Sequence, residues 1–313
     1  MADRTMILCV GTTPTVQRSM IFRKLEINDV NRAAGVREYA SGKSPNVARV
    51  LKSLGADPLE IGFVGGDRGR FLVADLERAG IECDFVTVAA PTRLCTTVID
   101  QATGTATELV EESSPIEDVG WRELDRRIES HLADAKICVF SGSLPPKAPQ
   151  DFYARWVREA GRLGIRVILD TRGEPLRLAI SNANCIAKLN RQELAMTLDR
   201  PFASELAFRG EVGELASRCA GAIITMGPHG ALVSDGRQFW KVTPPEVKAI
   251  SAVGSGDAFA AGLAFELARG RTLSESLPLA AACGAANAMT ALAGHTESSE
   301  IDGLLKKVRV EQI

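Results

Sequence analysis

Ala252-Val253-Gly254-Ser255-Gly256-Asp257-Ala258-Phe259-Ala260-Ala261-Gly262 is the stretch on which the reading of this chain turns. Two glycines and one carboxylate precede an unbroken small and apolar run, which reads as a helix. Such a turn aims several backbone N–H groups and the positive end of a helix dipole at one point. That point is a ready anion site, suited to phosphate. Asp257 lies where the field is strongest, so it is expected to stay ionised and able to accept a proton. A phosphate site with a built-in base is what phosphoryl transfer to an alcohol requires. The same residues would also serve a glycine-rich loop in which Asp257 merely caps the helix.

Around this stretch, short apolar strands alternate with amphipathic helices. Strands are expected at 6–10, 59–64, 137–140, 166–169, 186–189 and 223–226. Helices are expected at 46–54, with Val47, Val50, Leu51 and Leu54 on one face, and at 68–79 and 150–162. The alternation implies βαβ units and a mainly parallel sheet covered on both faces. The C-terminal third reads as nearly all helix, at 256–269, 273–292 and from about 299. Two segments break the rhythm. Residues 12–40 contain strands at 20–24 and 36–40 with no helix between them, and 94–100 pairs with 105–110 across Ala102-Thr103-Gly104. Together they could form a small antiparallel sheet that acts as a lid over the site, with a pair of solvent-exposed hairpins as the alternative.

A chain of 313 residues, 45% hydrophobic and 24% charged, fits one large α/β domain or two small ones and argues against disorder. The net charge of −2 gives no general attraction to nucleic acid or to an anionic membrane. The seven cysteines form no CxxC pair and several sit in apolar runs, which reads as buried thiols in a reducing compartment. The three histidines form no local metal pattern. Met1-Ala2-Asp3-Arg4 runs into an apolar strand too short for a signal-peptide core, and no apolar run approaches the roughly 20 residues of a membrane span. A soluble, cytoplasmic protein is expected.

Other motifs are weaker singly. Ser41-Gly42-Lys43-Ser44 looks like the end of a Walker loop, but the glycine required five residues before Gly42 is Arg37, so that class is excluded. What remains is a small-residue turn with one lysine, followed by Pro45-Asn46 at a helix start, where a polyol could approach the backbone. Gly62-Phe63-Val64-Gly65-Gly66-Asp67 has the wrong phase for a dinucleotide fingerprint. Asn190-Arg191-Gln192-Glu193 opens a helix after a buried strand; it could hold water around a nucleotide-bound Mg²⁺ or be a capping box. Thr225-Met226-Gly227-Pro228-His229-Gly230 could bring backbone close to ligand phosphates or be a hairpin turn. Arg32 and Arg93 fall in the lid segments and suit a second anionic group on a substrate.

Taken in order, these pieces resemble the PfkB (ribokinase-like) family of carbohydrate kinases, and within it the 1-phosphofructokinase and tagatose-6-phosphate kinase branch. The resemblance runs from Met6 to about Thr296. It is carried by Gly254-Ser255-Gly256-Asp257, Ser141-Gly142-Ser143-Leu144-Pro145-Pro146, Lys188-Leu189-Asn190-Arg191-Gln192-Glu193 and Asn46-Val47-Ala48-Arg49-Val50-Leu51. Val30-Asn31-Arg32 and Thr107-Glu108-Leu109 are similar to the branch as well.

The resemblance implies one kinase domain over 1–313: a three-layer α/β/α sandwich with a small β lid from about 12–40 and 94–112. ATP with Mg²⁺ would be the phosphoryl donor. Asp257 matches the family's catalytic base, and the N–H groups of Gly254, Ser255 and Gly256 match its anion hole. Asn190 and Glu193 match the motif associated with Mg²⁺ and phosphate, Glu193 reaching the metal through water. Thr225, Gly227 and Gly230 match the ATP-side loop, and Asn287 lies in the helix that usually flanks the adenine. Gly42, Lys43 and Asn46 match the sugar side, with Gln17 at the position of a sugar-binding carboxylate and Arg32 and Arg93 near the sugar's existing phosphate. A sugar phosphate is the expected second substrate, and a homodimer through the lid the expected assembly.

Departures gather on the sugar side. Thr13-Pro14-Thr15-Val16-Gln17 stands for the branch's Asn-Pro-x-x-Asp, so an amide replaces a carboxylate. Ser41-Gly42-Lys43-Ser44 stands for Gly-Gly-Lys-Gly and is expected to crowd the loop. Val110-Glu111-Glu112-Ser113-Ser114-Pro115 replaces Asn-Glu-Pro-Gly-Pro, and Lys147 stands where glycine is usual. A kinase of an unphosphorylated sugar or nucleoside, and a non-catalytic sugar- or nucleotide-binding homologue, are the rival readings. A dinucleotide oxidoreductase ranks last, because no GxGxxG opens the first βαβ unit.

Overall fold

A computed structural model describes residues 5–180 and 185–313; Met1-Ala2-Asp3-Arg4 lies outside them. In chain order come β1 (Met6–Gly11), β2 (Thr15–Phe22), β3 (Gly35–Ser41), α1 (Lys43–Ser53), β4 (Asp57–Val64) and α2 (Gly66–Arg78). The short strands β5 (Glu82–Cys83) and β6 (Val86–Thr87) lead to β7 (Arg93–Asp100), β8 (Thr105–Val110) and α3 (Asp118–Leu132). Next are β9 (Ile137–Ser141), α4 (Phe152–Arg162), β10 (Arg166–Asp170), α5 (Glu174–Ala179), β11 (Cys185–Asn190) and α6 (Arg191–Leu198). The last part holds α7 (Glu205–Ser217), β12 (Gly221–Thr225), β13 (Ala231–Ser234), β14 (Phe239–Thr243), α8 (Ser255–Ala268), α9 (Leu273–Ala288), α10 (Ser298–Leu305) and β15 (Arg309–Gln312).

The large sheet runs β15-β14-β13-β12-β11-β10-β9-β1-β4-β5, with β6 also paired to β4. From β12 to β5 the pairings are parallel, and from β12 to β15 antiparallel. Period-two alternation distributes each central strand over two cores. In β1, Ile7 and Cys9 face one core, whose helical side is α1, α2, α8, α9 and α10. Leu8 and Val10 face the other, with Trp121, Phe152, Tyr153, Leu176, Leu194 and Phe208 from α3 to α7. Burying such side chains contributes about 1.5–3 kcal/mol each, so two complete cores fix the three-layer α/β/α arrangement. Helix α8 packs against both α1 and α9, which explains why its residues from Ala258 to Ala264 are buried on every side.

A separate four-stranded sheet has the order β3-β2-β7-β8. Its two hairpins are antiparallel as expected, but β2 and β7 join them in parallel, so the sheet is mixed. The C-terminal third also departs from the all-helical expectation. Strand β12 is the one expected at 223–226, but β13 to β15 continue the large sheet beyond it, and among the described residues the polar edge strand β15 pairs only with β14. Helix α9 ends at Ala288, four residues before its expected end, because the chain turns back at Thr290 to Gly294. All seven cysteines are free. No helix among the described residues is long and apolar enough to cross a membrane.

Candidate active site

The parallel strands β1, β9, β10, β11 and β12 end on one edge of the large sheet, the edge where open α/β sheets bind ligands. Helix α8 points its amino end at that edge. Gly254 is the N-cap, with φ of 82°, a left-handed conformation that a side chain would strain. The Ser255 N–H is bonded to the Ala252 carbonyl at 3.1 Å, so it is not free for an anion as the sequence implied. Among the described residues no backbone acceptor faces the N–H of Gly254 or Gly256. A Cβ on Gly256 would lie 2.7 Å from Lys188 Nζ, so glycine there lets an ammonium stand against the helix end.

Five ionisable side chains meet in front of this turn. Lys188, inside β11, donates to Asp170 Oδ2 at 2.5 Å, and Lys43, from the first turn of α1, donates to Asp170 Oδ1 at 2.5 Å. Lys43 also donates to Glu193 Oε1 at 2.9 Å. Asp257 is buried and accepts from Asn46 Nδ2 at 2.8 Å. The Asn46 carbonyl oxygen accepts from Ser41 Oγ at 2.9 Å, which orients the amide. Burial and the charge on Asp170 push the Asp257 carboxyl up to about 6, against the pull of Lys188, Lys43 and the Asn46 amide. Asp170 is held low: burial disfavours its charge, but the two lysines outweigh that. Lys43 is held above its ordinary value, with burial opposed by Asp170, Glu193 and Asp257.

Asn190 and Glu193 form a complete capping box on α6: Asn190 Oδ1 accepts from the Glu193 N–H, and Glu193 Oε2 accepts from the Asn190 N–H. The capping-box reading of that motif is present in full, and Glu193 Oε1 in addition reaches Lys43. Beside the cluster lies a largely apolar cleft of about 510 Å³, lined among others by Thr225, Gly227, Gly230, Ser255, Gly256 and Phe259. Gly230 has φ of 87°, and a Cβ there would sit 1.8 Å from the Val242 carbonyl oxygen. The hairpin can line the cleft only with glycine at that point.

Asn287 is not a cleft residue. Its side chain is fully buried, donating to the Val253 carbonyl at 2.7 Å and to Ser255 Oγ at 3.2 Å, while Oδ1 accepts from the Gly294 N–H at 2.7 Å. It braces the turn from behind, and small residues of α9, Ala281, Gly284, Ala285 and Ala288, line the cleft instead.

The lid residues are less gathered. Gln17 is buried in β2 and donates to Thr97 Oγ1 at 2.8 Å. Arg93 donates to the Thr13 carbonyl at 3.0 Å and the Glu111 carbonyl at 3.2 Å, tying β7 to the loop after β1. Arg32 is exposed in the β2–β3 connection and has no hydrogen-bond or ion-pair partner among the described residues. Gly42 is the N-cap of α1, packed against Pro14. Ser44 does not crowd the loop as expected; its hydroxyl turns inward to Glu60.

Asp170 and Lys188 had no assigned role in the sequence. The available signal was a charge in an otherwise apolar strand, as in Leu169-Asp170 and Ala187-Lys188-Leu189. Among the described residues no group of three or more His, Cys, Asp or Glu could hold a metal ion.

Over residues 4–299 the sequence matches the pfkB family of carbohydrate kinases. It is 31% identical over 312 residues to a tagatose-6-phosphate kinase of Staphylococcus epidermidis, covering 98% of this chain and all of that protein. Phosphofructokinase-2 of Escherichia coli, solved in complex with fructose-6-phosphate, superposes with a TM-score of 0.86 at 25% identity, covering 97% of this chain and 98% of that one. Ribokinase of Arabidopsis thaliana shares the fold, with a TM-score of 0.74 at 18% identity over 97% of this chain and 99% of that one. The chain belongs to the pfkB family and is a carbohydrate kinase.

Proposed function

We propose that this pfkB-family kinase transfers the γ-phosphoryl group of ATP to a hydroxyl of a sugar phosphate, with Asp257 as general base. The observation that carries the reading is the position of Asp257: buried at the amino end of α8, 2.8 Å from Asn46, with a carboxyl titrating at about 6. A base with that value is ionised at neutral pH yet basic enough to take a proton as the hydroxyl attacks. Asn46 aims it. The N–H groups of Gly254 and Gly256, with Lys188 and Lys43, stabilise the charge that develops on the transferring phosphoryl group.

The apolar cleft beside Thr225, Gly227 and Gly230 suits a nucleotide base, with its phosphates directed toward the amino end of α8. Both oxygens of Glu193 are already bonded but retain lone pairs for water, so Glu193 fits a Mg²⁺ held mainly by nucleotide phosphates. When bound, that ion supplies neutralising charge. The chain acts as one kinase domain in the cytoplasm, and its four-stranded sheet closes over the sugar to exclude water. The exposed Val36, Leu109 and Val110 of that sheet suit a second copy of the chain.

The names of the relatives, tagatose-6-phosphate kinase and phosphofructokinase, support a phosphorylated ketose. Arg93 and Arg32 would then read its phosphate, and Gln17, Gly42 and Asn46 its hydroxyls. One observation favours an unphosphorylated sugar: Arg93 already spends two N–H groups on the Thr13 and Glu111 carbonyls. A coupled ADP-release assay over paired sugars and sugar phosphates decides between them. Turnover should appear with a sugar phosphate and fall about 10²–10⁴-fold in Asp257→Asn; no turnover with any sugar phosphate would overturn the reading.

A further inference from the structure

Glu60 lies in the middle of β4, fully buried, in a strand whose other central residues are apolar. Its in-register neighbours are Cys9 on β1 and Cys83 on β5, and each thiol turns to the carbonyl two residues before it, those of Ile7 and Ile81. Burial disfavours a charged carboxylate in such a place and drives its titration well above the ordinary carboxylate range, against the pull of the Ser44 hydroxyl. Its hydrogen bonding runs one way. Ser44 Oγ donates to Oε2 at 2.8 Å, and Oε1 has no partner among the described residues.

Ser44 is the second residue of α1, between Lys43 and the turn that carries Asn46. Its Cβ rests on the end of β1, where a Cβ on Gly11 would come within 2.5 Å of it. The first turn of α1 is thus held between the backbone of Gly11 and the carboxyl of Glu60. From the same turn Lys43 reaches Asp170 and Glu193, and Asn46 reaches Asp257. Among the described residues, no other group bonds the polar atoms of Glu60. We infer that Glu60 is a positioning residue: through Ser44 it sets the height of the first turn of α1, and so the aim of Lys43 and Asn46 at the reacting groups.

The inference rests on the kinase reading, and its test separates the two. Glu60→Gln keeps an acceptor for Ser44 and should hold kcat and both KM values within about threefold. Glu60→Leu strands the Ser44 hydroxyl and frees the turn; kcat should fall about tenfold while the ATP KM stays within twofold, since small misplacements of reacting groups cost that much or more. In Ser44→Ala/Glu60→Leu both polar partners are gone, so the melting temperature should return toward wild type. If Glu60 positions the turn, kcat stays low in this double variant; if its role is only structural, kcat recovers with the melting temperature and the inference is overturned. Should the wild type phosphorylate nothing, the kinase reading fails by itself. Crystal structures of the wild type and the double variant then decide, with displacement of Lys43 and Asn46 against β1 expected and coincident positions overturning the inference.

Discussion

At the amino end of α8, each ionisable side chain is engaged by a neighbour that fixes its direction: Asp170 by two lysines, Glu193 by Lys43 and a backbone N–H, Asp257 by Asn46. On the small sheet the polar side chains instead bind locally, Gln17 to Thr97 and Arg93 to two carbonyls, and Arg32 is exposed. The first region is preorganised before any ligand arrives, which is what stabilising a developing charge requires. The second must give up or extend contacts to hold a sugar. On the proposed function, turnover belongs to the sheet edge and choice of substrate to the lid, and substitutions in the two regions should then separate kcat from KM.

Asp257→Asn should produce the largest effect. Asparagine keeps an acceptor for the Asn46 amide but cannot take a proton, so kcat should fall about 10²–10⁴-fold with the ATP KM little changed. Retention of more than half of kcat would leave Asp257 a mere cap and erase the distinction between the regions. Stability should move the other way. The folded value of about 6 lies above the ordinary ~3.9, so the folded chain holds this proton more tightly than the unfolded one. The ionised carboxylate therefore costs stability above pH 6, a cost that fades as pH falls toward 4. Asp257→Asn should raise stability at pH 7.5 by about 1–3 kcal/mol, with the gain lost near pH 4 in denaturant titrations. Wild-type kcat/KM should show an acidic limb near pH 6, falling about tenfold for each pH unit below it; a profile flat down to pH 5 would exclude Asp257 as the base.

How far the sequence shows this site depends on how local each signal is. The Gly254 to Gly262 run carries both the turn and the buried helix in one stretch, and the structure has both. Asp170 appears in sequence only as a charge at the end of an apolar strand, and Lys188 as the first residue of a run that the family resemblance shares without giving it a role. Their partnership with Lys43 and Glu193 depends on the strand order β11-β10-β9-β1, which no local pattern encodes. The parallel join of β2 to β7 escaped for the same reason: period-two alternation marks a face, not a direction. Asn287 was placed by the helix it belongs to, but its own face of α9 is turned away from the cleft that Gly284 and Ala288 line. Strand β15, Arg309-Val310-Glu311-Gln312, is too polar to be read as part of a sheet and exists because β14 offers an open edge.

Arg93→Ala tests the lid side of the comparison. A lost charge-assisted hydrogen bond is worth about 1.5–3 kcal/mol, so KM for the phosphorylated substrate should rise at least tenfold while the ATP KM stays within twofold. The effect should shrink for the same sugar without its phosphate. Since Arg93 also fastens β7 to Thr13, Arg93→Lys supplies the control: it keeps the charge and should recover part of the loss. Equal weakening of both sugars would show that Arg93 supports the lid and reads no phosphate. Gln17→Asp should have a smaller effect, shifting relative kcat/KM among ketose and aldose phosphates severalfold at constant ATP KM, because a carboxylate accepts sugar hydroxyls more strongly than an amide. Unchanged ratios across such a panel would remove Gln17 from specificity.

The smallest effect is expected at the seam between the two regions, in the loop that follows β9. Lys147 has φ of 63°, a left-handed conformation in which a side chain costs roughly 1 kcal/mol and glycine almost nothing. Its side chain is exposed. Glycine adds entropy to the unfolded chain, which offsets part of the relief, so Lys147→Gly should stabilise by at most about 1 kcal/mol, seen as a rise of roughly 2 °C in melting temperature. What the substitution does to kinetics places the seam. The loop begins at Ser141, whose strand lies between β1 and β10, and the Ser143 carbonyl accepts from Thr12 and Thr13 of the loop that Arg93 also grips. If the strain is retained for backbone shape alone, Lys147→Gly keeps both KM values and the lid ends at Arg93. A severalfold rise in the sugar-phosphate KM with the ATP KM unchanged would mean that the strained lysine contributes charge to the sugar end, and the adaptable region would then extend across the loop to the edge of the large sheet.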